Sequence, residues 1–216
     1  MACIVNKPKL VTFIHNPKAA GISISRWMEI NLGGKKLFPT HATANELKGE
    51  LGWKFCVIRH PSTIILSRYK FLYRRSKVIV EYLKNDPLEW ENIYEPFMPT
   101  EVQIAIKDGN LTSSNYNLEI QQEKFNYLAK GFLNYANTHE YVDQLQYSNY
   151  CDCVIKYENL QAEFKKVQKK LNCFRDLPHL NIGNVEIDIE DKAIDVINER
   201  YAEQSQALGY NIKSSN

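Results

Sequence analysis

Three short apolar runs, each followed by a turn and a helical pattern, constrain the fold of this chain most. They are residues 10–15 (LVTFIH), 54–59 (KFCVIR) and 151–157 (CDCVIKY). Each has the length and the β-branched or aromatic content of a buried strand. Strands that alternate with helices are typical of α/β proteins, in which ligands bind at the carboxyl ends of the strands. We therefore expect three layers, with a central parallel sheet flanked by helices.

Helical spacing of apolar residues follows these runs. The first helix is predicted from Gly21 to the Gly33-Gly34 pair, and the second from Pro61 to a basic end at Arg74 and Arg75. Residues 117–147 are predicted to be helical, and the last helix is predicted over residues 190–208.

The length of 216 residues and the hydrophobic content of 44% predict one globular domain over residues 1–216. Residues 86–108 interrupt it with a stretch rich in Pro and aromatic residues, which is too apolar for a linker. This insertion must bury its hydrophobic side chains or bind a partner with them.

The charge of the chain is balanced in total but not along its length. A net charge of +2 excludes a uniformly polybasic binder of nucleic acid or membranes. Residues 1–84 carry 15 basic and 4 acidic side chains, whereas residues 85–216 carry 12 and 21. This distribution predicts an anionic ligand that is bound mainly by the first part of the chain.

The cysteines and the amino terminus favour a cytoplasmic protein. Five cysteines are an odd number, which fits reduced thiols better than a disulfide framework. Cys151, Cys153, Cys173 and His179 lack a paired C-x-x-C spacing, so we expect no metal site. The start of the chain shows neither a signal peptide nor a membrane anchor, and no later segment is long and apolar enough to span a bilayer.

A loop with the physical features of a phosphate-binding loop follows the first predicted strand. Residues 15–23 read HNPKAAGIS, in which small residues let backbone N–H groups approach an anion and Lys18 adds a positive charge. The spelling matches neither G-x-x-x-x-G-K-[ST] nor G-x-G-x-x-G. Taken alone, the loop is equally well explained as a plain turn that enters a helix.

A second loop favours the functional interpretation. Arg59 ends the next strand, Pro61 opens a helix, and Ser67 lies two turns into that helix. An arginine and a hydroxyl beside the first loop would supply donors for a second anionic group. The two loops together predict a ligand with two separated anionic groups.

The two loops resemble the motifs of the carbohydrate-type sulfotransferases (family 2-like), which use 3′-phosphoadenosine 5′-phosphosulfate (PAPS). The matching residues are FIHNPKAAGIS (13–23), FCVIRHP (55–61) with Ser67 and Tyr69, HATA (41–44), VIKYENL (154–160), LPHLN (177–181) and the closing segment from Tyr201 to Tyr210. The similarity covers nearly the whole chain and implies a P-loop-like α/β fold.

The resemblance also implies the roles of single residues. Lys18 and His41 would be catalytic, with His41 as the general base. The 5′-phosphosulfate would be held by Lys18, Ala19, Ala20, Gly21, Ile22 and Ser23, and the 3′-phosphate by Arg59 and Ser67. The products would be a sulfated hydroxyl and 3′-phosphoadenosine 5′-phosphate (PAP), with no metal.

Two positions depart from the family pattern. Ile22 replaces the usual Thr after the glycine, and Ile64 replaces the usual Arg of the second motif. Both changes put the strength of PAPS binding in question.

Two other functions stay open: a P-loop-type nucleotide-dependent kinase, and a non-catalytic protein that keeps the fold. The acceptor is expected to be a glycan or a small hydroxylated metabolite, in a bacterial or viral setting. The sequence does not predict the oligomeric state.

Overall fold

A computed structural model describes residues 3–5, 9–37, 39, 41–47, 51–84, 118–178 and 186–211. The predicted insertion at 86–108 lies outside these residues, as do His179 and Asn181 of the LPHLN segment.

The described strands form one mixed sheet. They are β1 (Cys3–Val5), β2 (Val11–Ile14), β3 (Lys35–Lys36), β4 (Trp53–Ile58) and β5 (Cys153–Lys156), in the order β3-β1-β2-β4-β5. Strands β2, β4 and β5 are parallel, with Phe13 opposite Phe55 and Phe55 opposite Cys153. The three predicted strands are therefore confirmed.

The expectation of an all-parallel sheet is wrong in one respect. Strand β1 runs antiparallel to both β2 and β3. Only residues 6–10 separate β1 from β2, and a connection this short permits a hairpin but not the crossover that parallel strands need.

The helices lie where the sequence predicts them, but several differ from the prediction in length. They are α1 (Gly21–Leu32), α2 (Pro61–Lys84), α3 (Leu118–Ala129), α4 (Phe132–Thr138), α5 (Leu145–Ser148), α6 (Leu160–Leu171, after a 3-10 turn at Tyr157–Asn159), α7 (Asp191–Arg200) and α8 (Ala202–Ala207). Helix α1 ends at Gly33, in the left-handed conformation that favours glycine, as predicted.

Three helix predictions need correction. Helix α2 continues past Arg74 and Arg75, because arginine is a good helix former anywhere in a helix and does not by itself end one. The stretch 117–147 contains three separate helices, with Gly131 between α3 and α4 at φ 101°. The last predicted helix is divided at Tyr201, where α7 ends and α8 begins.

Alternation of side chains places a hydrophobic cluster on each face of the sheet. Phe13, Phe55 and Val57 face one cluster, to which α1 and α6 contribute; its helical members are Ile24, Trp27, Met28, Phe164, Val167 and Leu171. Ile14, Cys56 and Ile58 face the other, with Tyr147 of α5 and Leu208. Helices therefore cover both faces of the sheet.

The chain divides into two compact units. The first comprises Met1–Ile65, Glu140–Ile182 and Ile197–Asn216, and it contains the sheet with both clusters. The second comprises Leu66–His139 and Gly183–Val196. In the second unit, the Tyr69 hydroxyl donates a hydrogen bond of 2.6 Å to the Leu128 carbonyl, and the Tyr69 ring packs on Phe132.

Within the described part of the chain, no helix has both the length and the apolar character that a membrane crossing requires.

Candidate functional site

Two loops leave the sheet at the same edge, because β2 and β4 are adjacent and parallel. We call residues 15–20 the first loop and residues 59–60 the second loop. The first leads into α1 and the second into α2. The residues that the sequence assigns to phosphosulfate binding therefore lie next to Arg59 in the fold.

The first loop has an unusual backbone. Lys18 and Ala20 adopt left-handed conformations, with φ of 63° and 58°, although neither is glycine. Ala20 is the N-cap of α1 and makes no side-chain cap hydrogen bond. Amide groups in the first turn of a helix have no acceptor within the helix, so a bound anion can accept hydrogen bonds from them.

Gly21 is required by the packing of His15. A Cβ atom added to Gly21 would lie 1.7 Å from His15 Nε2, so the buried imidazole occupies the space that any side chain would need. Glycine at this position lets the first helical turn lie directly against the ring.

Arg59 links the second loop to the first. Its Nε donates to Thr63 Oγ1 at 3.0 Å, and its Nη1 donates to the Lys18 carbonyl at 3.2 Å. Its guanidinium carbon lies 4.1 Å from the centre of the Tyr157 ring. Burial lowers the pKa of Arg59, while nearby Tyr157, Glu158 and Tyr210 act in the opposite direction. Because arginine stays protonated in proteins, the site holds a fixed cation.

The start of α2 is capped by side chains. Glu158 Oε1 accepts from the His60 amide at 2.8 Å, and His60 Nδ1 accepts from the Ser62 amide at 3.3 Å. The His60 carbonyl accepts from the amides of Thr63 and Ile64, each at 3.0 Å. Burial lowers the pKa of His60, and Glu158 opposes this shift.

His41 lies beside the first loop. Its ring centre is 4.5 Å from that of His15, and its Nδ1 is 3.5 Å from the His15 carbonyl oxygen. Partial burial lowers the pKa of His41, the contact with the His15 carbonyl raises it, and the charge of Lys18 lowers it slightly. The neutral imidazole, which can accept a proton, is therefore favoured near neutral pH.

The remaining predicted site residues differ in their burial. Ala19 and Ser23 are buried, and Ile22 is half exposed on the first turn of α1. Ile64 is buried, so the side chain that replaces the family's arginine packs in the interior. Ser67 lies in α2 within the second compact unit.

Sequence reasoning missed a buried amide beside both loops. Gln144 Oε1 accepts from Asn16 Nδ2 and from the Arg59 amide, each at 2.9 Å. Asn16 Nδ2 also donates to the Val57 carbonyl at 3.0 Å. A single glutamine within a stretch predicted to be helical gives no signal of such a contact, because its partners lie far away in the chain.

Among the described residues, no group of three or more His, Cys, Asp or Glu side chains is placed to hold a metal ion.

Comparisons of the chain with protein-family models, with curated proteins and with solved structures found no match.

Proposed function

We propose that this chain is a sulfotransferase that moves a sulfuryl group from PAPS to an acceptor hydroxyl. The observation that carries the proposal is the pair of loops at the ends of β2 and β4, joined by the hydrogen bond from Arg59 to the Lys18 carbonyl. This arrangement fits a P-loop-like fold that binds a ligand with two anionic groups.

The first loop suits the 5′-phosphosulfate. The start of α1 lacks a side-chain cap, and Lys18 supplies a positive charge beside it. The small side chain of Ala20 lets a phosphate approach the backbone closely, whereas the space beside Gly21 is filled by the His15 ring.

Arg59 suits the 3′-phosphate. The bonds to Thr63 and Lys18 use two of its five N–H donors, and the other three donate no hydrogen bond to a described residue. A guanidinium held by such contacts offers a phosphate two parallel hydrogen bonds with little loss of side-chain entropy.

His41 acts as the general base in this mechanism. It removes the proton of the acceptor hydroxyl while the acceptor oxygen forms a bond to sulfur and the bond from sulfur to the bridging phosphate oxygen breaks. Lys18 and the amides of α1 stabilise the negative charge that grows on the departing PAP. As in phosphoryl transfer, position and charge supply most of the catalysis.

We propose a glycan or a small hydroxylated metabolite as the acceptor, and a cytoplasmic site of action in a bacterial or viral setting. A screen of acceptor classes with labelled PAPS identifies the substrate.

Ligand binding tests the role of Arg59. We expect Arg59→Ala to weaken PAP binding roughly tenfold to a hundredfold, because bonds from a guanidinium to phosphate are lost, with little change for 5′-AMP. Titration calorimetry measures both ligands, and Arg26→Ala, an exposed arginine on α1, is the control. Equal losses for PAP and 5′-AMP contradict the assignment. Thermal stabilisation of the native chain by ATP with Mg²⁺, but not by PAP, favours a kinase instead.

Sulfonation assays test the role of His41. We expect His41→Ala to lose transfer while PAP affinity is retained, since the proposed role of the imidazole is to take the proton of the acceptor hydroxyl and not to hold the nucleotide. Asn45→Ala, which changes an exposed residue of the same segment, is the control. Transfer at the native rate in His41→Ala removes the general base from the mechanism.

A further inference from the structure

Three amide side chains form a buried chain of hydrogen bonds behind the two loops. Asn16, Gln144 and Gln204 are almost completely inaccessible to solvent. Asn16 Nδ2 donates to Gln144 Oε1 at 2.9 Å, and Gln144 Nε2 donates to Gln204 Oε1 at 3.4 Å. All three belong to the compact unit that contains the sheet.

Gln144 binds both backbone groups of Arg59. Its Oε1 accepts from the Arg59 amide at 2.9 Å, and its Nε2 donates to the Arg59 carbonyl at 2.7 Å. The carboxamide therefore pairs with Arg59 as a neighbouring strand would, just beyond the end of β4. This orientation of the Gln144 carboxamide satisfies its hydrogen bonds, because the oxygen faces two donors and the nitrogen faces two acceptors.

The same carboxamide reaches the first loop through Asn16. Asn16 Nδ2 also donates to the Val57 carbonyl at 3.0 Å, so its amide group bridges β4 and Gln144. On the far side, Gln204 Nε2 donates to the Val142 carbonyl and to the Tyr141 hydroxyl, each at 3.0 Å. Gln144 is thus held by Gln204 on one side and contacts Asn16 of the first loop and Arg59 of the second loop on the other.

We infer that Gln144 is a positioning residue that fixes the spacing of the two anion-binding loops. It holds the backbone of Arg59 directly and the first loop through Asn16, so a ligand that spans both loops meets a preformed site. The part of this inference that concerns nucleotide binding rests on the proposed function. The contact with the Arg59 backbone itself does not.

Gln144→Glu is the sharpest test, because it preserves shape and replaces only the donor nitrogen. Its carboxylate would face the carbonyl of Arg59 and Oε1 of Gln204, which are both acceptors. Protonation of the carboxyl at low pH restores one donor. Gln146→Glu is the matched control, since Gln146 is an exposed glutamine of helix α5, for which Gln144 is the N-cap residue.

We expect Gln144→Glu to bind PAP about tenfold more weakly than the native chain at pH 8, with the difference shrinking as the pH is lowered. Gln146→Glu should bind as the native chain does throughout. A purely structural role would lower the midpoint of unfolding without a pH-dependent loss of affinity in the folded protein. Unchanged PAP affinity in Gln144→Glu therefore overturns the inference.

Amide hydrogen exchange without ligand separates this inference from the proposed function. In Gln144→Met, a second variant of similar length, we expect exchange at the Arg59 amide to be about tenfold faster, with the strand amides of β5 unchanged. Unchanged exchange at Arg59 overturns the positioning role whatever the nucleotide does. If the native chain does not bind PAP, the proposed function fails, and faster exchange at Arg59 still supports Gln144 as the residue that fixes the loop spacing.

Discussion

Helices α1 and α2 begin at the same edge of the sheet, but their first turns are satisfied in opposite ways. The N-cap of α1, Ala20, makes no side-chain hydrogen bond. At the start of α2, Glu158 and the ring of His60 accept from backbone amides. Under the proposed function, the first loop therefore offers backbone donors to the ligand, whereas the second loop uses its donors internally and offers the Arg59 cation.

The two loops also differ in backbone conformation. Two of the three non-glycine residues with positive φ in the described part of the chain, Lys18 and Ala20, lie in the first loop. Such residues cost free energy unless their surroundings hold them. The first loop thus carries strain, and the second loop is stabilised by side-chain hydrogen bonds.

The largest effect is expected for Gly21→Ala in the first loop. The added Cβ would overlap the buried His15 ring, so we expect a loss of about 3 kcal/mol or more in the free energy of unfolding. Chemical denaturation measures it. Gly33→Ala is the control, because its Cβ meets no atom within 4 Å and only the left-handed backbone at φ 62° opposes it. We expect that control to cost about 1 kcal/mol, and equal losses would contradict the packing argument.

The next effect concerns the cation of the second loop. Lysine in Arg59→Lys keeps the charge but cannot donate to Thr63 and the Lys18 carbonyl in the same fork geometry. We expect PAP to bind about tenfold more weakly while the native fold is kept. Arg26→Lys serves as the control in the same titration. Native affinity in Arg59→Lys would show that charge alone is enough.

A smaller loss in the free energy of unfolding is expected when the side-chain cap of α2 is removed. In Glu158→Ala, the His60 amide and the Tyr210 hydroxyl lose their carboxylate acceptors, at 2.8 and 2.9 Å. Because Glu158 is exposed, water replaces much of the interaction, and we expect a loss of about 0.5 to 1 kcal/mol by chemical denaturation. Glu163→Ala on α6 is the comparison. A loss as large as that of Gly21→Ala would erase the contrast between the two loops.

The smallest effect is a pKa change at His41. Partial burial holds the pKa of His41 below 6.5, and the charge of Lys18 contributes in the same direction. Activity that needs the neutral imidazole is therefore lost only as the pH falls through this lowered pKa. In Lys18→Met we expect the midpoint of the His41 titration, measured by NMR, to rise. Lys54→Met, at the start of β4, should leave the midpoint unchanged, and a fall in Lys18→Met would contradict the assignment.

Local patterns in the sequence predicted three of the five described strands and the end of α1. Runs such as residues 54–59 are apolar and short, and Gly33 marks the end of α1 by its own conformational preference. Strand β3 has two residues and was not predicted. Strand β1 was not predicted either, because three apolar residues before Asn6 and Lys7 are too short a run to indicate a strand. Its strand character depends on pairing with β2.

Local sequence patterns could not predict the contacts of the site that join residues far apart in the chain. The contact between Arg59 and Gln144 joins residues 85 positions apart, so neither sequence neighbourhood contains the other partner. The spacing of the two loops could be anticipated from the order of parallel strands, but the residue that holds them together could not. His41 was assigned by resemblance, and the structure places it beside His15.

The short outer strand β3 bears on the behaviour of the protein at high concentration. It consists of Lys35 and Lys36 and lies at one end of the strand order. An incoming strand from a second copy would bring ammonium groups together at this edge and could pair with only two residues. Charged, short edge strands are a known defence against sheet extension. The lysine pair therefore disfavours aggregation by strand addition at this side of the sheet.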